Sequence, residues 1–126
     1  YKECRDLIDS MKFNSSVFGV EKEKGKLEGI IASIYQNVFG QELYPSIEEK
    51  AANLLYFIIK DHPFADGCKR IGASLFLEFL NKNNHLIIDG KQVISNSALV
   101  AITLMIAESR PEEKDVMVKL VMNFLR

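Results

Sequence analysis

Apolar residues recur three and four positions apart over most of the chain, the spacing of an amphipathic helix and not of a strand. Cys4, Leu7, Ile8 and Met11 set this pattern in residues 1–13 and predict one short helix. The charged, glycine-flanked run "GVEKEKGK" (19–26) interrupts it and reads as a solvated loop or helix lead-in. In "LEGIIASIYQNVF" (27–39), Leu27, Ile30, Ile31, Ile34 and Val38 share one face, which predicts a core helix. "GQELYP" (40–45) breaks the pattern with Gly40 and Pro45. The next start is marked by capping chemistry. In "SIEE", Ser46 and Glu49 stand at capping-box spacing, where each can satisfy an orphan backbone N–H of the other. The helix that follows, "SIEEKAANLLYFIIK", turns apolar all round toward Leu54, Leu55, Phe57, Ile58 and Ile59, which predicts burial on several sides at the centre of a bundle.

A polar interruption comes next, "KDHPFADGCKRIGASLF" (60–76), and helical spacing resumes in "RIGASLFLEFLNKN", giving a helix from about Lys69 to Lys82. "NNHLIIDGKQVIS" (83–95) carries Asp-Gly between two short apolar runs, a hairpin signal. Two last helices fit "NSALVAITLMIAES" (96–109) and "PEEKDVMVKLVMNFLR" (111–126), the second with Pro111 near its first position and acids in its first turn. No internal repeat is visible. The predicted class is all-α, a bundle of about six helices with one or two short hairpins.

Composition narrows the function classes. A chain of 126 residues, 48% apolar and 26% charged, fits one folded domain with one core. With 16 basic and 17 acidic residues the net charge is −1, so neither nucleic acid nor a membrane is an expected partner. No apolar run approaches the ~18–20 residues that span a bilayer, and no charged-then-apolar leader is present. Cys4 and Cys68 follow no metal-ligand spacing, and reduced cytosolic thiols are expected over a disulfide between them. Because the chain opens at Tyr1 without an initiator Met, a domain from a longer protein is expected.

The chemistry concentrates in residues 60–76. If Gly67 ends a loop and a helix begins near Cys68 or Lys69, the amides of Gly67, Cys68 and Lys69 become orphan donors at a helix N-terminus, where the dipole favours an anion. Gly67 permits close approach or positive φ. Lys69 and Arg70 add cations, and Arg can grip phosphate oxygens in a bidentate fork. Asp66 is a hard oxygen ligand suited to a Mg²⁺ shared with phosphate. His62 has the residue type to accept a hydroxyl proton near neutrality. Taken singly, each has a plainer reading: an exposed loop histidine, an Asp-Gly turn, a solvated Lys-Arg face, and Phe64 as a loop anchor in the core. Taken jointly, they suit phosphoryl or nucleotidyl transfer, where positioning and charge neutralisation provide most of the catalysis.

"HPFADGCKR" (62–70) resembles the Fic motif, HPFx(D/E)GNGRxxR, of the Fic/Doc family. The flanking "ELYPSIEEKAANLLYFIIKD" and "RIGASLFLEFLNKN" resemble its neighbouring helices, and the similarity runs from about Lys26 to the end, close to the C-terminal Fic-like domains of RhuM-type virulence proteins. The resemblance implies a single Fic domain over 1–126, with an N-terminal helix and charged loop (1–25) and a Fic core (26–126) carrying a small β-hairpin flap. It further implies transfer of AMP from Mg·ATP to a Ser, Thr or Tyr hydroxyl of a target protein. On that mapping His62 matches the base, Asp66 the Mg²⁺ ligand, Gly67 and Lys69 the anion-hole turn, Arg70 the first phosphate arginine and Phe64 the buried phenylalanine. Residues 35–46, with Gln41, Glu42, Leu43 and Tyr44, fall where the family places its target-aligning flap. A cytoplasmic location, or delivery into another cell as an effector, goes with the same resemblance.

The departures carry information of their own. Cys68 replaces the motif's Asn among the phosphate-binding residues, and a thiol is the poorer hydrogen-bond donor. Losing one such contact costs roughly 1–3 kcal/mol. Lys69 replaces the second glycine and Ala73 the second arginine, which is closer to Doc-like members, some of which phosphorylate their targets. No good match to the inhibitory [S/T]xxxE[G/N] helix is found. A degenerate module that binds nucleotide or protein without turnover is the alternative class, resting on Cys68. A helix N-terminus and nearby cations would also favour a thiolate there, making Cys68 a candidate redox-sensitive thiol, against the plainer reading of a tolerated small residue.

Overall fold

The computed structural model describes residues 1–11 and 18–125. Six α-helices follow in order: α1 (Lys2–Met11), α2 (Lys26–Ile34), α3 (Ile47–Asp61), α4 (Cys68–Lys82), α5 (Asn96–Glu108) and α6 (Lys114–Phe124), the last entered through a 3₁₀ turn, Pro111–Glu113. Two antiparallel hairpins join them, β1–β2 (Asn37–Val38 with Gln41–Glu42) and β3–β4 (Ile87–Ile88 with Lys91–Gln92). The fold is all-α, as the periodicity predicts. Residues 12 and 13 of the first predicted helix, and Arg126 of the last, lie outside the described residues.

The apolar faces meet around α3. Ala51, Ala52, Leu55, Tyr56 and Ile59 face one cluster with α4, α5 and α6, while Leu54 and Ile58 face a second with α1, α2 and α4. The continuous apolar run of the sequence is therefore explained by burial on both flanks. Ser46 caps α3 by accepting the Glu49 N–H at 3.0 Å, and Ser95 caps α5 by accepting the Ala98 N–H at 3.1 Å. Each cap contributes about 1 kcal/mol. The expected reciprocal bond differs: the Glu49 carboxylate turns to the Ser46 hydroxyl at 3.5 Å instead of its backbone N–H.

The second predicted helix is shorter than its periodicity suggests. It stops at Ile34, Tyr35 takes the C-cap, and Val38 is half exposed in β1 instead of lying on a core face. Val38 keeps helical phase with Ile31 and Ile34 only by coincidence. Its backbone pairs with Gln41, and the chain reverses through Phe39 (φ 53) and Gly40 (φ 77). Two successive left-handed residues define the hairpin turn whose twist suits flanking strands.

Contacts along α3 sort the connections to two ends of the bundle. Lys26 Nζ reaches the Asp61 carbonyl at 3.5 Å, so α2 starts beside the C-terminus of α3 and runs back along it. The β1–β2 hairpin then lies at the N-terminus of α3, where buried Lys50 bonds Glu42 Oε1 (3.0 Å) and the Tyr44 carbonyl. His85, entering β3–β4, faces Glu48 at 3.6 Å, which puts the second hairpin at that same end. Lys60 Nζ donates to the Ser109 carbonyl at 2.6 Å, bringing the α5 C-terminus back to the other end. The α3–α4 loop, residues 62–67, is at that other end too.

Candidate active site

His62 terminates α3 in a left-handed conformation (φ 47, ψ 58), which turns the chain sharply out of the helix. Such backbone is uncommon outside glycine, though histidine is among the residues that tolerate it. Pro63 and Phe64 then enter the core, Phe64 being 1% exposed. The predicted role of Phe64 as a loop anchor holds. The loop leaves through Gly67 (φ 91, ψ 11), and α4 begins at Cys68 with no side-chain cap on its first amides. The required positive φ is the conformation glycine was expected to supply. The amides of Cys68 and Lys69 remain available to an anion at this helix start.

His62, Asp66, Gly67, Cys68, Lys69 and Arg70 line one cleft of ≈ 340 Å³ together with Lys22, Phe64 and Ala65. All six predicted residues of the loop and helix start are thus brought together. Asp66 is the single acid on this lining, and its carboxylate makes no hydrogen bond or ion pair among the described residues. A hard, unengaged oxygen donor of this kind fits a Mg²⁺ that takes its other ligands from phosphate and water. Ala73 packs against the core and does not reach the cleft lining.

Cys68 departs from its expected thiolate character. Its side chain is buried, Sγ donates to the Phe64 carbonyl at 3.4 Å, and burial pushes the thiol pKa up despite that bond and the nearby Lys22 and Lys69. Desolvation penalises the charged form more than the cations favour it. The thiol closes the loop from within; what Cys68 can offer an anion is its backbone amide.

Gln41 and Glu42 form β2 of the hairpin, Leu43 extends it through its N–H bond to the Gln36 carbonyl and Tyr44 lies just beyond, but none of the four lines the cleft. They are anchored at Lys50, twelve residues before His62, which corresponds to about 18 Å along α3. The segment beside the loop is instead residues 18–22. Gly19 N donates to the Asp66 carbonyl (3.1 Å), Ala65 N to the Val20 carbonyl (2.8 Å) and Lys22 N to the Pro63 carbonyl (2.9 Å). The run expected to be a solvated loop is a backbone strap across the motif.

Phe18 opens that strap, 2% exposed, with its ring under Gly67 and the Arg70 guanidinium 4.9 Å from its centre. A Cβ on Gly67 would lie 2.4 Å from Phe18 Cε2. Gly67 is therefore fixed by close approach as well as by φ. At the far end of the strap, Glu21 Oε1 accepts the Leu27 N–H at 3.1 Å and so caps α2. Sequence reasoning missed Phe18 and Lys22. They lie far upstream of the loop in a stretch with no periodicity, and the flanking Gly19 and Gly25, both at positive φ, were the only local signal of a shaped segment.

The model of the Fic/DOC family matches residues 4–80 of this chain, a span that includes the strap and the whole motif loop. Among curated proteins, "Toxin Doc" of Mycolicibacterium smegmatis is 32% identical over 84 residues, covering 64% of this chain. The chain spans about 65% of the length of that relative. No solved structure matches the chain significantly.

Proposed function

We propose that this chain, which belongs to the Fic/DOC family, transfers a group from a nucleoside triphosphate to the hydroxyl of a target protein. The observation that carries the reading is the single cleft in which His62, unengaged Asp66, the α4 N-terminus, Lys69 and Arg70 converge. His62 stands at the loop start as the base that takes the hydroxyl proton. The Gly67–Lys69 amides and the two cations hold the phosphates and offset the charge that develops on their oxygens. Asp66 would hold Mg²⁺, which supplies charge neutralisation on the same oxygens. ATP is the substrate this kit fits.

The first reading is AMP transfer: the hydroxyl oxygen bonds the α-phosphorus, pyrophosphate leaves and His62 accepts the proton. A second reading, γ-phosphoryl transfer, has specific observations behind it. Lys69 stands where the AMP-transferase motif has glycine, Ala73 supplies no second arginine to the cleft, and the chain is similar to Toxin Doc. Incubation with α- and γ-labelled ATP, Mg²⁺ and cell lysate separates them. Label from the α form assigns AMP transfer, and label from γ alone assigns phosphorylation. Label from neither form, with folded protein, rejects both and leaves a binding module. Cys68→Asn restoring an activity absent from the parent would point to the same module. His62→Ala is expected to lower transfer by about 10²–10⁴-fold while ATP binding is kept.

A further inference from the structure

We propose that Lys22 is a third phosphate-binding cation of this site, supplied by the strap, and that it serves the phosphate nearest His62. The inference rests on the nucleotide-binding reading above and adds a residue that the motif does not contain. Lys22 lines the same cleft as Lys69, Arg70 and Asp66, so among the described residues three cations and one acid line it, in a chain whose net charge is −1. Such local excess concentrates anions within the cleft. Unlike Glu21, which is engaged by Tyr1, Arg5 and the Leu27 amide, the Lys22 ammonium makes no hydrogen bond or ion pair among the described residues.

Its placement is not that of a loose surface lysine. The Lys22 N–H is bonded to the Pro63 carbonyl, the preceding Glu21 bridges Phe64, and the next helix is capped from Glu21. The Cα therefore has a fixed station beside the residue that follows His62. Lys69 and Arg70 stand at the opposite end of the loop, on the first turn of α4. A phosphate chain laid over the Gly67–Lys69 amides thus meets cations at both ends. The strap provides the charge that α4 does not, since Ala73 is turned into the core.

The test is titration of the wild-type chain and its variants with Mg·ATP and with inorganic triphosphate, alongside thermal unfolding. Lys22→Gln is expected to weaken both ligands about tenfold with an unchanged Tm, the scale of one lost charge-assisted contact. Lys22→Arg should stay within about twofold of wild type, because the cation is retained. Lys24→Gln, on the same segment but off the cleft, should bind as wild type does. Equal binding by Lys22→Gln and wild type overturns the assignment, as does a loss that Lys22→Arg fails to rescue, which would mark a structural role. If ATP is weakened but triphosphate is not, the contact is not with phosphate and the proposal also fails. A wild type that binds no nucleotide overturns the functional reading and this one together. A wild type that binds and transfers while Lys22→Gln matches it overturns this one alone.

Discussion

At one end of the bundle, two hairpins reverse the chain between α2 and α3 and between α4 and α5; at the other, the motif loop lies under residues 18–22. The hairpins share a backbone design. Leu43 N bonds the Gln36 carbonyl at 3.0 Å and Val93 N the Leu86 carbonyl at 2.8 Å, with two left-handed residues at each turn. Their chemistry differs. Asp89-Gly90 accepts that conformation at little cost, whereas Phe39 is a fully exposed aromatic held at φ 53. Left-handed backbone in such a residue costs roughly 1–2 kcal/mol. Tertiary anchors offset it: Lys50 grips Glu42 and Tyr44, and the Tyr44 ring lies 6.5 Å from Phe57 under the Lys114 ammonium.

The site end is shaped differently. Its left-handed positions, His62 and Gly67, are held by pairing with a segment remote in sequence and by the Phe18 ring. The contrast suggests that the site end tolerates little change, while the hairpin end is adjustable and its alteration leaves the cleft intact.

The largest effect should follow Gly67→Ala, which brings a Cβ to 2.4 Å from buried Phe18 at φ +91. We expect a loss of about 2–4 kcal/mol in denaturant unfolding, with ATP binding abolished. Wild-type stability in this variant would break the idea that Phe18 fixes the cradle. Lys50→Ala removes a charged donor from Glu42 and Tyr44 and should cost about 1.5–3 kcal/mol, while ATP affinity stays as in wild type. A drop in affinity would show that the two ends are coupled. Phe39→Asn relieves left-handed strain at an exposed turn and should stabilise by about 0.5–1 kcal/mol in the same assay.

The smallest effect concerns pH. Burial raises the thiol pKa of both Cys4 and Cys68. Each folded thiol then keeps its proton over a range where the unfolded one has lost it. Their stabilisation is fully present below the ordinary thiol range and is lost as pH rises through it toward the folded value. Unfolding curves measured from about pH 7 to about pH 10 should show a gradual decline, shallower in Cys68→Ala; a steeper decline there would contradict a protonated, buried Cys68.

Much was legible in the chain itself. The central position of α3 follows from a run apolar on all sides, the cap at Ser46 from short-range side-chain chemistry, and β3–β4 from Asp89-Gly90. The residues of 62–70 could be gathered into one site from sequence because a helix end, a short loop and a helix start cannot separate them. β1–β2 was expected only from the family resemblance; periodicity and turn chemistry hid it, because Val38 keeps helical phase and Phe39 is a poor turn residue. A local rule fails there because Lys50 and Tyr44 act through space.

The sequence by itself determined which segments are helical, where most of them start, and that a base, an acid, a glycine and two cations gather in the 62–70 loop. Only the tertiary structure decided that Cys68 turns inward as a neutral thiol, that residues 41–44 sit at the far end of α3, and that Phe18 and Lys22 stand beside the motif. The physical reason is one of range. Periodicity and capping act over a few residues, whereas the strap meets the loop through backbone hydrogen bonds, which any residue but proline can donate and which leave no pattern in the side chains.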